Sequence, residues 1–449
     1  MNTARDLTND ALAGSLKDFR VPQGIDLIAR TEGFFGWQDE RRQQTVWPYA
    51  RTISSPPAAN CEAVSDSNEI LSGVNFGSQD YLSLSSHPKI KKAAIEAIER
   101  FGVHSAGSAA LLGNTALSRE LERSLSDFMR GRHIVLYPTG WAAGYGSIQG
   151  LVRPRDHIVM DILSHSCLQE GAKAATTNLH FNRHLDLRSV KGKLERIRRQ
   201  DSKNAILVVT ESLFSMHSDT PDLKGLRELC DRYSAMLLVD CAHDLGCMGE
   251  NGLGQLETQD MLEGADIVIG SFSKSFASNG GFVSVKTRAA AEYLRYYSAT
   301  TTFSNAMSPA QAAAVLAALE IIRSQEGKQL RRALLSNILK LRTDLSRAGQ
   351  EVLGVASPIV PVHVGDEARG RIVSKEMSAI GAIANLVEYP AVPLGQSRFR
   401  LQVMAKHTDG DIETIVKAFR SCMDMTANAG NLQEIAAAMK ASTRRSNVA

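Results

Sequence analysis

The chain has 449 residues, with 51 Lys and Arg against 48 Asp and Glu, for a formal net charge of +3. That length exceeds what one hydrophobic core usually organises and predicts a large domain with a smaller one, while the charge balance points to a small-molecule substrate rather than a nucleic-acid or membrane surface. Apolar stretches fall far short of the roughly 20 residues of a membrane span, residues 1–6 lack a signal peptide's apolar segment, and Cys61, Cys167, Cys230, Cys241, Cys247 and Cys422 form no CxxC pair or zinc-spaced cluster, so a cytoplasmic protein with free buried thiols and no metal site is expected.

Residues 1–72 are polar, carry Pro48, Pro56 and Pro57 and an aromatic patch at Phe34, Phe35 and Trp37, and read as an extension packed on the body. Pro88 opens a helix over 89–100, closed by Gly102. From about residue 130, short β-rich runs (133–137, 157–161, 205–210, 235–240, 266–272 and 281–285) alternate with helical patterns. This predicts an α/β large domain with a mainly parallel sheet covered on both faces. Ser308-Pro309-Ala310-Gln311 forms a capping box before a helix over 312–322, which begins the crossing to the smaller domain. A charged amphipathic helix over 329–347 and strands over 358–364, 383–389 and 398–404 predict an α+β lobe. The boundaries are 1–72 for the N-terminal extension, 73–310 for the large domain, 311–428 for the small C-terminal domain and 429–449 for a tail. Residues 440–449, with three basic and no acidic residues, read as frayed.

In parallel sheets ligands bind beyond the carboxyl ends of the strands, where Asp161, Asp240 and Lys274 all fall. Gly270-Ser271-Phe272-Ser273-Lys274 follows one apolar run, and Val239-Asp240-Cys241-Ala242-His243 ends an earlier one. A lysine amine and a carboxylate so delivered are what a pyridoxal phosphate enzyme requires: one holds the aldehyde as a Schiff base, the other keeps the ring nitrogen protonated. Each residue also has a plainer reading. Lys274 would otherwise be a solvated surface lysine, and Asp240 a capping or loop aspartate, although an isolated carboxylate at an apolar strand end costs several kcal/mol unless paired. His243 is placed to reach the ring's phenolic oxygen, and His165 is either a ring stacked on the cofactor or a loop histidine. Thr139-Gly140-Trp141 opens a helix whose backbone amides make a phosphate cradle or a simple strand-to-helix turn. Arg398 and Arg400 share one face of a strand, either to hold a substrate carboxylate bidentately or to face solvent.

Read in order, Asn75-Phe76-Gly77-Ser78-Gln79-Asp80-Tyr81, Thr139-Gly140-Trp141, Ser164-His165-Ser166, Glu211-Ser212-Leu213-Phe214-Ser215-Met216, the Asp240 and Lys274 segments, and Arg398 to Leu401 with His407-Thr408 resemble the signatures of the α-oxoamine synthases. That group contains aminooxononanoate synthase, glycine C-acetyltransferase, 5-aminolevulinate synthase and serine palmitoyltransferase. The resemblance runs from about residue 73 to 420. It implies pyridoxal phosphate fold type I, like aspartate aminotransferase, a homodimer with its active site at the interface, and decarboxylative condensation of an amino acid with an acyl thioester to an α-amino ketone. Carried over, Lys274 is the Schiff-base lysine and acid/base, Asp240 the ring-nitrogen partner, His243 the phenolate partner and His165 the stacking ring. Ser212 lies beside the ring, Ser271 with the backbone of Gly140 and Trp141 holds the phosphate, and Arg400 holds the substrate carboxylate.

The sequence also departs from the family pattern. Ser105-Ala106-Gly107-Ser108-Ala109 lacks the arginine many relatives carry after Gly-Ser, and Ser118 stands where a histidine is frequent. Cys241, Gln79, His217 and Asn305 replace an acidic residue, an asparagine, an aspartate and a threonine. These changes fall on substrate choice, with Ser108 near the substrate entry, and the stretch 103–122 is closer to members found with natural-product or signal-molecule pathways, so an acyl carrier protein is as fitting a thioester donor as coenzyme A. The competing readings are a fold-type I aminotransferase, which would return a keto acid, and a non-catalytic cofactor-binding subunit, against which the presence of Lys274 argues.

Overall fold

The computed structural model describes residues 9–427. They form two compact units: residues 79–334, and a split unit that joins the chain up to residue 78 with the chain from 335 onward. The expected boundaries differ. The segment read as an extension is built into the split unit, and the helix Pro309–Arg323, expected to begin the smaller domain, belongs to the 79–334 unit. The frayed tail expected over 440–449 lies outside the described residues.

In the split unit, β1 (Thr52–Ile53), β2 (Asn60–Val64) and β3 (Ile70–Asn75) form an antiparallel meander. Cys61 and Ala63 of β2 alternate inward between exposed neighbours, as a half-buried strand requires. The turn between β2 and β3 is held by Ser65, whose hydroxyl accepts from the N–H groups of Ser67 and Glu69.

The 79–334 unit carries β4 (His133–Tyr137), β5 (His157–Asp161), β6 (Leu179–Asn182), β7 (Ile206–Glu211), β8 (Met236–Asp240), β9 (Ile267–Ser271) and β10 (Gly281–Val285). They lie in one sheet in the order β4-β10-β9-β8-β7-β5-β6, with β10 alone running against the other six. β7 and β9 are buried along their whole length, the signature of parallel strands covered on both faces. One face packs Val135, Ile158, Met160, Val209, Leu238 and Ile269 against Ala143 and Ile148 of the helix Gly140–Leu151 and Leu168 of the helix Ser166–Ala175. The helices Pro88–Phe101 and Pro309–Arg323 begin with the caps read from the sequence, the second with both halves of its capping box made by Ser308 and Gln311.

The split unit resumes with β11 (Ile359–Gly365), β12 (Ala382–Ile383), β13 (Asn385–Val387) and β14 (Ser397–Gln402). The single strand expected over 383–389 is two strands in two sheets. β12 pairs in parallel with β3, and β13 pairs antiparallel with β14 beside β11. The chain changes sheet at Ala384, and the next side chain, Asn385, donates to the Gly77 carbonyl at 2.8 Å.

Candidate active site

Three adjacent parallel strands end in carboxylates: Asp161 on β5, Glu211 on β7 and Asp240 on β8, with Glu211 and Asp240 directly paired in register. Lys274 lies three residues beyond β9, in a turn pinned by Phe272 N–H to the Gly280 carbonyl and Ser278 N–H to the Phe272 carbonyl. One rim of the sheet thus gathers the lysine and the carboxylates that the sequence placed there.

Asp240 is 7% exposed and accepts a hydrogen bond from Ala242 N–H at 3.0 Å. Burial raises its pKa, and the positive charges of His165 and Lys274 oppose that rise. Glu211 is sealed as well, and burial followed by the charge of Asp240 holds its carboxyl well above the usual range. One of its oxygens accepts from the backbone N–H of His165 at 2.6 Å. Two adjacent buried carboxylates resist ionising together, so Glu211 holds its proton more firmly than an ordinary carboxyl.

His165 caps the helix Ser166–Ala175: its Nδ1 accepts from the Cys167 N–H and stands 3.0 Å from Cys167 Sγ, which fixes the ring while leaving the residue exposed. His243 is 8% exposed, with Nδ1 3.0 Å from the hydroxyl of the fully buried Tyr81. Asp80 steadies the Tyr81 loop by accepting from the N–H groups of Leu84 and Ser85.

Gly140 begins its helix against Ser271. A Cβ on Gly140 would stand 2.5 Å from Ser271 Oγ, and one on Gly281 would stand 2.7 Å from Gly140 Cα. The helix N-terminus, with amides of Gly140 and Trp141 in its first turn, is therefore pressed close to the Ser271 hydroxyl at the end of β9, in the form of an anion cradle. Trp141 is 45% exposed and stacks on Tyr145.

Two serines of the expected site are engaged by neighbouring groups. Ser212, expected beside the ring, has no exposure: its hydroxyl lies 2.7 Å from Asp244 Oδ1 and 3.1 Å from the Asp240 carbonyl, and its N–H also donates to that carbonyl. It braces the Asp240 backbone from behind. Ser108 donates to the Thr302 carbonyl at 2.7 Å and accepts from the Ala110 N–H, so its hydroxyl is engaged in shaping its own loop, where it forms a bridge with Asn305. Arg400 lies in the split unit on β14, opposite Pro361 and Asn385 on the neighbouring strands, and shares a face with the buried Arg398.

Tyr81, Glu211 and Asp244 are the site residues that sequence reasoning left without a role. Tyr81 and Glu211 lie inside motifs already singled out, and Asp244 directly follows His243. His184 is a further one: it bridges Asp161 and Asp219 at 2.9 Å on each side, tying the end of β5 to the loop after β7. Among the described residues no group of His, Cys, Asp and Glu side chains is arranged to hold a metal ion.

The family model for aminotransferase class I and II matches residues 72–419. The 8-amino-7-oxononanoate synthase of Thermoanaerobacter pseudethanolicus is 32% identical over 381 residues, covering 85% of this chain and 94% of the relative. The serine palmitoyltransferase of Sphingobacterium spiritivorum is 32% identical over 390 residues, covering 86% and 95%. A solved serine palmitoyltransferase from S. paucimobilis, with bound PLP-myriocin aldimine, superposes with a TM-score of 0.84 at 26% identity and covers 90% of this chain and 99% of that one.

Proposed function

The chain belongs to the aminotransferase class I and II family, in its α-oxoamine synthase branch, and from that premise we propose how its residues carry a pyridoxal-phosphate-dependent, decarboxylative condensation of an amino acid with an acyl thioester. The products are an α-amino ketone, carbon dioxide and the free thiol. Pyridoxal phosphate, when bound, supplies an aldehyde for the substrate's amino group and a protonated ring that accepts the electron pair released at the α-carbon.

The residues present fit that group, and Asp240 carries the reading. A carboxylate sealed at a strand end, whose pKa burial raises despite the charges of His165 and Lys274, is the environment in which a protonated ring nitrogen would offset the cost of burial. The Gly140 helix N-terminus and the Ser271 hydroxyl suit its phosphate.

Lys274 Nζ would hold the cofactor's aldehyde at rest and, when free, would serve as the base that takes the proton from the substrate α-carbon and the acid that returns one to the product. His165 offers its ring face, with Nδ1 held at Cys167. His243 Nδ1 stands 3.0 Å from the Tyr81 hydroxyl, so with Nδ1 as acceptor its Nε2–H would be free to donate to the phenolic oxygen of a bound ring. Glu211 acts through His165, whose backbone N–H it holds. Ser212 acts through the Asp240 backbone. Arg400 is assigned to the substrate carboxylate from its place in the motif, and Ser108 to the shape of the entry loop.

The active form is a homodimer with its site at the interface. Support comes from apolar side chains of the 79–334 unit that stand in water in the single chain: Leu111 86%, Leu112 90% and Phe303 87% exposed. No helix among the described residues is long and apolar enough to cross a membrane.

The visible spectrum of purified protein supplied with pyridoxal phosphate tests the reading, together with carbon dioxide release from each amino acid paired with acyl-coenzyme A or acyl-carrier thioesters. A lysine-bound cofactor band absent in Lys274→Ala, and carbon dioxide release that depends on one thioester class, are expected. A keto acid formed without carbon dioxide would make the protein an aminotransferase instead.

A further inference from the structure

Far from the residues of the 79–334 unit described above in sequence, the split unit holds a cavity of about 130 Å³ that opens to solvent. Its lining includes three cations, Arg51, Arg371 and Lys375, and a single acid, Glu69, which is exposed. Arg371 is neutralised: its Nε lies 3.0 Å from Glu388, and its other nitrogens donate to the carbonyls of Leu12 and Gly14. Arg51 is different. Its nitrogens donate to the Ala384 carbonyl at 2.8 Å and to the hydroxyls of Ser374 and Ser378 at 2.9 and 3.2 Å, all neutral acceptors. Burial is the one cause that moves its pKa, down to about 10, and no carboxylate offsets it. Lys375 donates to another neutral acceptor, the Gln44 carbonyl, at 3.2 Å. Neither Arg51 nor Lys375 has a carboxylate within ion-pair distance among the described residues.

A guanidinium drawn out of water without a counter-charge costs free energy that a bound anion would return. The rest of the wall mixes the apolar side chains of Val46, Trp47, Pro48 and Leu71 with the hydroxyls of Thr45 and Ser65 and of the two serines that hold Arg51. We propose that this cavity is a binding site for a small amphipathic anion, a carboxylate or phosphate head on an apolar body, with Arg51 and Lys375 receiving the head and Val46, Trp47 and Leu71 packing the body.

Calorimetric titration of the full-length, cofactor-loaded protein with octanoate, octyl phosphate and uncharged octyl glucoside tests this, with Trp47 fluorescence as a second readout. At least one anion is expected to saturate a single site and to bind about tenfold or more weakly to Lys375→Glu, as loss of a charged hydrogen-bond donor requires. The tighter of the two anions identifies the head. Arg51→Gln should be weaker still; because Arg51 also ties Ala384 and two serines together, Lys375→Glu carries the test if that variant fails to fold. Saturation by neither anion, an unchanged affinity in Lys375→Glu, or equal binding of octyl glucoside would each overturn the proposal.

Discussion

Asp244 offers a test in which the expected sign is unusual, since replacing a fully hydrogen-bonded buried acid should stabilise the protein. The side chain has no exposure, accepts from the Ser212 hydroxyl at 2.7 Å on one oxygen and from the Gln255 N–H at 2.7 Å on the other. Burial outweighs those bonds and raises its pKa from an ordinary 3.8 to about 6. The folded chain therefore binds the proton more tightly than the unfolded one. Stability with respect to this group is greatest below the unfolded value, falls as pH rises between 3.8 and about 6, and carries the full penalty above that. At 1.36 kcal/mol per pKa unit the penalty is about 3 kcal/mol. In Asp244→Asn the carboxamide oxygen accepts from Gln255 and its NH₂ donates to Ser212 Oγ, whose own proton turns to the Asp240 carbonyl 3.1 Å away. Urea unfolding of the cofactor-free protein should show the variant more stable by up to about 3 kcal/mol at about pH 8, with the gap closing towards about pH 4. A variant less stable at the higher pH, or a gap that does not change with pH, would refute the reasoning.

Three further outcomes are expected. Gly140→Ala places a Cβ 2.5 Å from Ser271 Oγ and should lower pyridoxal phosphate affinity at least about tenfold with a cost of about 1–3 kcal/mol in stability, measured by cofactor titration and thermal melting, whereas Gly192→Ala, which meets nothing within 4 Å, should gain up to about 1 kcal/mol. Asp240→Asn removes the buried charge, so cofactor-free protein should melt at a higher temperature while cofactor affinity and turnover fall, by about 3 kcal/mol or more in the loaded state; a parallel loss in both states would count against a ring-nitrogen role. For His184, burial lowers the pKa, but its bonds and charges to Asp161 and Asp219 outweigh burial and raise it from 6.5 to about 9. Its stabilisation is thus complete below 6.5 and lost through about 9, so His184→Gln should cost about 2 kcal/mol at neutral pH and little in strong base, as pH-dependent melting would show.

Much of the catalytic rim was legible because its residues sit where strand periodicity stops. Asp161 and Asp240 each end an apolar run, and those runs match β5 and β8 to within a residue, whereas Glu211, set behind Thr210, is not singled out by the pattern. What stayed hidden depends on pairing partners that local pattern does not encode. The chain up to residue 72 reads as polar in part because β2 buries only alternate residues and β3 only Leu71 before Val74. The run 383–389 is β-rich enough to pass for one strand despite Asn385 and Glu388, and only the competing edges of β3 and β14 divide it at Ala384. Ser212 was assigned to the ring by its motif; that its hydroxyl is drawn to Asp244 follows from a contact 32 residues away along the chain. The Arg51 cavity left no sequence signal, because nothing local distinguishes an arginine lacking a carboxylate from one that has it.

The pairing of Val74 with Ala382 has a consequence for how the protein is made. β3 emerges from the ribosome about three hundred residues before β12 can cover it, at roughly 5–20 residues per second. For that interval the hairpin offers an open strand edge, the kind of template other chains can add to. The seven-stranded sheet, whose strands all lie between residues 133 and 285, can be complete before β12 exists. Synthesis therefore passes through a stage in which the catalytic rim is formed while the N-terminal hairpin still awaits its last strand, and that stage is where a chaperone would have something to hold.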